Sequence, residues 1–174
     1  MGGGSSKVRK VDIVVLGPSY TGKTTLIYKL TQNKQEPEKT EGFFYETFDY
    51  KELRLNMLEI AGNNKDKLKW YGMMKKCEVI IYVIDSTDTR LLDFAREKLF
   101  LHLQNSVAKN AILLVYANKQ DLPNAMKSEE IIEKYQLNTI KEQPWHLQES
   151  NFTTGEGIYE GIDWIIENLP KEKN

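Results

Sequence analysis

The most constraining feature of this 174-residue chain is residues 17–24, which read G-P-S-Y-T-G-K-T. They fit G-x-x-x-x-G-K-[ST], a glycine-rich loop whose backbone N–H groups surround phosphate oxygens. The β-branched apolar run before the loop, residues 10–16, is typical of a buried parallel strand, and residues 25–30 after it suit a helix. Because this motif works only between a strand and a helix, its position predicts a phosphate-binding P-loop.

The residue types in the loop predict distinct roles. Gly17 and Gly22 permit the tight turn that aims successive N–H groups at phosphates, and the following helix adds the positive end of its dipole. The Lys23 ammonium is expected to contact the β- and γ-phosphates, and the Thr24 hydroxyl to ligate Mg²⁺. The predicted phosphate-binding residues of this segment are Gly17, Ser19, Tyr20, Thr21, Gly22, Lys23, Thr24 and Thr25.

Composition excludes several classes of protein. The net charge of −1 gives no reason to expect nucleic acid as a partner. A single cysteine, Cys77, rules out a disulfide framework and favours a reducing compartment. No apolar run approaches the roughly 20 residues of a membrane span. We therefore expect a cytoplasmic protein that is either free or peripherally bound to membranes.

The first residues have two interpretations. Residues 1–6, M-G-G-G-S-S, fit the pattern for myristoylation of Gly2, and Lys7, Arg9 and Lys10 supply the basic cluster that commonly assists a single acyl chain. The same residues also fit a flexible glycine–serine leader. The expected organisation is a leader over residues 1–9, one domain over 10–170 and a short tail over 171–174.

Strand and helix patterns alternate along the chain. This order predicts an α/β fold: a mostly parallel six-stranded sheet with helices on both faces and one antiparallel hairpin strand. Ligands of such sheets bind beyond the carboxyl ends of the strands, so the loops after Ile84 and Ala117 should meet the P-loop. The predicted ranges are a hairpin at 43–48 and 53–58 around a turn at 49–52, strands at 79–85, 111–117 and 143–147, and helices at 90–108 and 157–169.

A second motif, Asn118-Lys119-Gln120-Asp121, follows a predicted buried strand. Guanine presents two donors, N1–H and the 2-amino group, on one edge, and adenine has neither there. The Asp121 carboxylate can accept from both, whereas adenine would leave it unpaired. The Asn118 amide can bond the base and neighbouring loops, and the Lys119 stem can cover one face of the ring. The motif predicts guanine specificity.

With both motifs in place, residues 11–169 resemble the Ras-type small GTPases and, among these, the Arf and Arf-like family. The sequence is close to that of the family in four segments: T-T (24–25), T-E-G-F (40–43), N-K-Q-D-L-P (118–123) and G-I-Y-E-G-I-D-W (157–164). The resemblance implies a P-loop small GTPase fold, a switch between GDP and GTP with Mg²⁺, and a role in membrane traffic or in membrane-linked regulation. It also implies regulators and effectors that dock at Phe43, Leu58, Trp70 and Met73.

The resemblance assigns further site residues. Thr40 would ligate Mg²⁺ and sense the γ-phosphate, Glu59 would hold Mg²⁺ through water, and the Gly62 N–H would meet the γ-phosphate. In the loop at Asn151 and Phe152, the Phe152 N–H would contact the guanine carbonyl oxygen. The implied metal ligands are Thr24, Thr40 and Glu59, and the implied catalytic residues are Asn63, Lys23 and Gly62.

The departures from the family concentrate at catalytic positions. Asn63 replaces the glutamine that orients the attacking water, and its amide reaches about 1.5 Å less far. Glu59 replaces an aspartate, Ala61 replaces a hinge glycine, and Tyr20 puts a ring where the family has alanine. We therefore expect slow, GAP-dependent GTP hydrolysis. The alternative is a GTP-bound scaffold with little or no hydrolysis.

Overall fold

The computed structural model describes residues 8–35, 38–61, 72, 74–104 and 108–171. Its strands are β1 (Arg9–Leu16), β2 (Phe43–Tyr50), β3 (Leu53–Ile60), β4 (Val79–Asp85), β5 (Ile112–Asn118) and β6 (Trp145–Glu149). Its helices are α1 (Lys23–Thr31), α2 (Leu92–Leu103), α3 (Ser128–Lys134) and α4 (Ile158–Asn168), with a 3₁₀ turn at Leu137–Thr139.

The strands form one six-stranded sheet in the order β2-β3-β1-β4-β5-β6. Every neighbouring pair is parallel except the hairpin of β2 and β3. Helices α1 and α4 pack with one apolar cluster, and α2 and α3 with the other, on the opposite face. The predicted α/β architecture, with six strands, one antiparallel hairpin and helices on both faces, is confirmed.

The central strands are apolar on both sides because each face of the sheet is covered. In β4, Val79, Ile81 and Val83 point into the cluster with α1 and α4, and Ile80, Tyr82 and Ile84 point into the other. Alternation by two residues thus supplies both cores from one strand. This packing sets the carboxyl ends of β1, β4 and β5 side by side.

The predicted hairpin turn at 49–52 is wrong, because the ladder continues two residues further on each side. Tyr50 pairs with Leu53, and the exposed Asp49 and Arg54 form an ion pair with 2.7 Å between Oδ1 and Nε. The turn is therefore Lys51 and Glu52 alone, with Lys51 in the left-handed region at φ 53°. Two-residue hairpins favour positive φ because it matches the twist of the strands.

Two other predicted elements differ from the structure. Helix α2 begins at Leu92, because the Asp88 carboxylate binds the N–H groups just before it, and it ends at Leu103 rather than 108. Leu91 and Phe94, whose helical spacing with Ala95 and Leu99 predicts a buried face, are exposed. Strand β6 runs two residues later than predicted, at Trp145–Glu149, where it pairs with β5.

The basic residues predicted to meet a membrane are in different situations. Arg9 donates to the Glu78 carboxylate and to the Pro170 carbonyl oxygen, each at 2.9 Å, whereas Lys10 is exposed. Gly2 and Lys7 lie outside the described residues. Within the described ranges, no helix combines the length and apolarity needed to cross a bilayer.

Candidate nucleotide-binding site

A cleft of about 420 Å³ lies at the carboxyl end of β1, where the P-loop meets the segment before β2. Its lining includes most of the predicted P-loop residues, together with Thr40, Glu59 and Lys119. Glu38, Lys39 and Ala61 also line it, and we did not assign these to the binding site from sequence. The full lining is Ser19, Tyr20, Gly22, Lys23, Thr24, Thr25, Glu38, Lys39, Thr40, Glu59, Ala61 and Lys119.

The two P-loop glycines are required for different reasons. Gly17 has φ 140°, and a Cβ there would collide with the Val83 carbonyl oxygen of β4. Gly22 has φ 107°, and a Cβ there would lie 2.6 Å from Asn118 Nδ2 and 3.1 Å from the Phe152 ring. Gly22 therefore does more than turn the loop: its missing side chain lets the loops at Asn118 and Phe152, which are predicted to specify guanine, pack against the P-loop.

Lys23 is held by the loop that it follows. Its buried ammonium donates to the carbonyl oxygens of Gly17 at 3.0 Å and Pro18 at 2.7 Å. Burial lowers its pKa to about 8, while the negative charge of Glu59 opposes the shift. Since this value is above 7, Lys23 remains mainly a cation at neutral pH. The arrangement keeps a positive charge at the predicted place for the β- and γ-phosphates.

Three oxygen-bearing side chains converge beside Lys23. The Thr24 hydroxyl donates to Glu59, with Oγ1 2.8 Å from Oε2 and 3.1 Å from Oε1. Thr24 Oγ1 also lies 3.1 Å from Thr40 Oγ1. Because the Thr24 proton points at Glu59, the Thr40 hydroxyl is left to donate to Thr24. The structure thus brings together the three residues that the resemblance assigned to Mg²⁺.

This donor set suits Mg²⁺. Two hydroxyls and a carboxylate are hard oxygen ligands, and Mg²⁺ binds through few protein oxygens while phosphates and water complete its shell. In the described part of the chain, histidine, cysteine and acidic side chains form no group of three or more able to hold a metal ion. Thr24, Thr40 and Glu59 would therefore hold Mg²⁺ beside bound phosphates, where the ion would neutralise phosphate charge.

Asn118 joins the P-loop to the loops that are predicted to specify guanine. Its buried side chain donates from Nδ2 to the Thr21 carbonyl oxygen at 2.9 Å and accepts at Oδ1 from the Phe152 N–H at 3.0 Å. The two bonds use both ends of the amide, which ties together the segments after β1, β5 and β6. The predicted meeting of loops at this edge of the sheet is therefore observed.

Lys119 and Asp121 stand at the outer side of the same loop. Lys119 has φ 67° and donates from Nζ to Asp85 Oδ2 at 2.6 Å. Partial burial on its own raises the pKa of Asp85, but hydrogen bonds from Lys119 and Thr87 outweigh it and lower that pKa. Asp121 is exposed two residues later. The ion pair fixes the Lys119 stem across the loop, next to the cleft.

The Asn151 side chain fixes the conformation of the loop in which it lies. Asn151 Oδ1 accepts from the N–H groups of Thr153 at 3.0 Å and Thr154 at 3.4 Å, an Asx turn. The buried Phe152 ring packs edge-on against Tyr116, with 5.1 Å between centroids. The Phe152 N–H, which the resemblance assigned to the guanine carbonyl oxygen, donates to Asn118 Oδ1 in this structure.

Tyr20 and Ala61 show how the chain accommodates its unusual residues. Tyr20 takes φ 64°, its side chain is 76% exposed, and Lys39 Nζ lies 5.8 Å from its ring centroid. That distance is within the range of a cation–π contact, which links the P-loop to the residue before Thr40. Ala61 lies outside the left-handed region, so replacing a glycine there strains nothing, and its N–H donates to the Gly42 carbonyl oxygen at 3.0 Å.

The predicted effector residues are only partly described. Phe43 is 53% exposed and Leu58 is half-buried on the same face of the hairpin, while Trp70 and Met73 lie outside the described residues. Tyr45, 55% exposed, pairs with Leu58 and lines the same apolar groove of about 440 Å³. We did not assign Tyr45 from sequence, although alternation by two residues puts it on the face of Phe43.

Replacing Asn118 by alanine should destabilise the protein because it removes both bonds of the buried amide. The Phe152 N–H and the Thr21 carbonyl oxygen would lose their partner, at about 1–3 kcal/mol for each buried polar group left unpaired. Urea unfolding measures the change. Asn168→Ala, which removes an exposed amide on α4, is the matched control. Equal free energies of unfolding for the two variants would contradict the role given to Asn118.

Gly62 and Asn63, which are predicted to be catalytic, lie outside the described residues.

Two comparisons with known proteins bear on the family of this chain. The structure is similar to that of the Arl6 BBS3 small GTPase from Trypanosoma brucei with the bound nucleotide analogue GppNp, with a TM-score of 0.84 and 26% sequence identity over 91% of this chain and 96% of that one. The model of the ADP-ribosylation factor family matches residues 3–169. The chain is a member of the ADP-ribosylation factor family of small GTPases.

Proposed function

We propose that this protein is an Arf-like switch that binds GDP and GTP with Mg²⁺ and hydrolyses GTP slowly. The observation that carries the proposal is the contact of Thr40 with Thr24 across the cleft, at 3.1 Å. Thr40 belongs to the loop before β2, and Thr24 belongs to the P-loop. A metal ion held by both hydroxyls, together with a γ-phosphate, would keep the loop closed, and loss of the phosphate would release it.

Guanine specificity rests on Asp121 and its neighbours. Asn118 anchors the loop to the P-loop, and the ion pair of Lys119 with Asp85 sets the direction of the lysine stem. The Asp121 carboxylate is left at the rim to accept from the two donors of guanine. Guanine nucleotides would then be needed to fill the nucleotide site, and adenine nucleotides would compete poorly for it.

Asp121→Asn should exchange guanine for xanthine specificity. Xanthine has a carbonyl where guanine has its 2-amino group, so an amide can donate to that oxygen and accept from the ring N–H. We expect GDP affinity to fall by about 10²-fold or more and xanthosine diphosphate to bind the variant, measured by calorimetry. Glu129→Gln, which removes an exposed charge on α3, is the control. Unchanged GDP affinity in D121N would argue against a guanine site.

Slow hydrolysis rests on the sequence at position 63. The asparagine amide is about one C–C bond short of where the family's glutamine holds water, and a misplacement of about 1 Å can cost roughly 10²-fold in rate. A GAP that supplies an arginine in trans would offset part of this loss. Lys23 and Gly62 would meet the developing charge on the phosphate oxygens.

Asn63→Gln should accelerate hydrolysis. We expect a single-turnover rate about 10- to 10²-fold above that of the natural chain, with Asn63→Ala at or below it. Phosphate release from GTP-loaded protein under excess Mg²⁺ measures the rate. Matching rates for the natural chain and N63Q would mean that Asn63 is not what limits the chemistry.

A second candidate function is a GTP-bound scaffold that hardly hydrolyses its nucleotide. This scaffold function is favoured by Asn63, Glu59 and Ala61, because all three differ from the family within residues 59–63. Both functions use one docking surface, in which Phe43, Tyr45 and Leu58 form the described part. Trp70 and Met73 would extend this surface toward exchange factors, GAPs and effectors.

A membrane role follows from the first residues. We propose a myristoyl group on Gly2, with Lys7 and Lys10 as basic residues that favour anionic lipids, in keeping with a function in membrane traffic. Since Arg9 is bound to Glu78, it contributes less. Protein made together with an N-myristoyltransferase should sediment with anionic vesicles, and Gly2→Ala should stay in the supernatant. Equal sedimentation of both would leave residues 1–6 as a flexible leader.

A further inference from the structure

We propose that Glu59 binds the nucleotide-associated Mg²⁺ directly, through a carboxylate oxygen, without an intervening water. The inference rests on the proposed function, because the ion arrives with a nucleotide. Glu59 is a position at which the resemblance implies a difference from the family. The proposal concerns which ligands bind the nucleotide's metal ion directly, and it adds no second metal site.

The backbone of Glu59 is fixed on both sides. In β3 it pairs with Val15 of β1 and with Phe44 of β2, and the whole residue is only 2% exposed. The strand backbone at Glu59 is therefore held by a ladder on each side. The side chain extends from there to the Thr24 hydroxyl, which fixes its direction, so the length of the side chain decides how far the carboxylate reaches.

The oxygens at the site have the spacing of neighbouring ligands on one ion. Thr24 Oγ1 lies 2.8 Å and 3.1 Å from the Glu59 oxygens and 3.1 Å from Thr40 Oγ1. Mg²⁺ binds oxygen at about 2.1 Å in an octahedron, in which adjacent ligands are about 3.0 Å apart. An ion bound to Thr24 can therefore also take a Glu59 oxygen without a rearrangement of either side chain.

Side-chain length explains why glutamate differs from aspartate here. A carboxylate that reaches the metal through one water keeps its oxygen about 4 Å from the ion, against about 2.1 Å for a direct bond. From the same Cα, glutamate extends about 1.5 Å further than aspartate. The extra methylene covers most of that difference and displaces the bridging water.

Electron paramagnetic resonance of Mn²⁺ tests this in the full chain. Mn²⁺ replaces Mg²⁺ in protein loaded with GDP, and line broadening in ¹⁷O-enriched water counts the waters on the ion. The natural chain should carry one fewer water than Glu59→Asp. Equal counts overturn the inference. If GDP brings no Mn²⁺ to either protein, it is the proposed nucleotide-binding function that fails.

A second measurement on the natural chain does not depend on how Glu59→Asp folds. With ¹³C-carboxyl glutamate incorporated, electron–nuclear double resonance gives the distance from Mn²⁺ to the nearest labelled carbon. A direct bond predicts about 3 Å, and a distance beyond about 4 Å overturns the inference. Glu38 lines the same cleft, so Glu38→Asp is the control: the short distance must persist in E38D. Its loss there would assign the ligand to Glu38 instead.

Discussion

The site depends on a single buried amide between three loops. Asn118 bonds the Thr21 carbonyl oxygen and the Phe152 N–H, and Gly22 leaves the space in which that amide fits. Because these loops follow β1, β5 and β6, their meeting is possible only in a parallel sheet that brings the carboxyl ends of the strands to one edge. The P-loop and the loops predicted to recognise the base are thereby held together at this edge of the sheet.

Two side chains of opposite charge, Lys23 and Glu59, line the cleft at its other end. Lys23 and Glu59 are both buried, and each has hydrogen bonds that offset its desolvation: backbone carbonyls for the lysine and the Thr24 hydroxyl for the glutamate. A cation for phosphates and an anion for a metal therefore stand side by side. Thr40 reaches this pair from a separate loop, which couples the loop's position to what occupies the cleft.

Much of this could be predicted from the sequence because the signals were local. The P-loop spacing located Lys23 and Thr24, and apolar runs such as β4 predicted a sheet covered on both faces. What failed depended on contacts that hydrophobic periodicity does not report. Two are short-range: the hairpin ladder runs on through Tyr50 and Leu53, beside the Asp49–Arg54 ion pair, and Asp88 binds the N–H groups just before α2. The hydrogen bond from the Phe152 N–H to Asn118 joins residues 34 positions apart, so no local sequence pattern predicts it.

The departures from the family that the resemblance implies fall into two groups. Ala61 and Tyr20 are accommodated: the alanine avoids a left-handed conformation, and the tyrosine accepts one while its ring faces Lys39. Asn63 and Glu59 instead change reach, one shorter and one longer by a methylene, at the positions expected to order water and metal. The chain keeps the small-GTPase fold of its family, and the proposed change in its chemistry lies at Asn63 and Glu59.

The most direct test of the proposed function is to identify the nucleotide that the protein retains when it is purified without added nucleotide. Denaturation releases it, and ion-exchange chromatography against standards identifies and counts it. We predict GDP at close to one equivalent, because a slow switch still hydrolyses the GTP that it binds. Retained GTP would contradict cycling and favour the scaffold, and adenine nucleotides or none would contradict the guanine site itself.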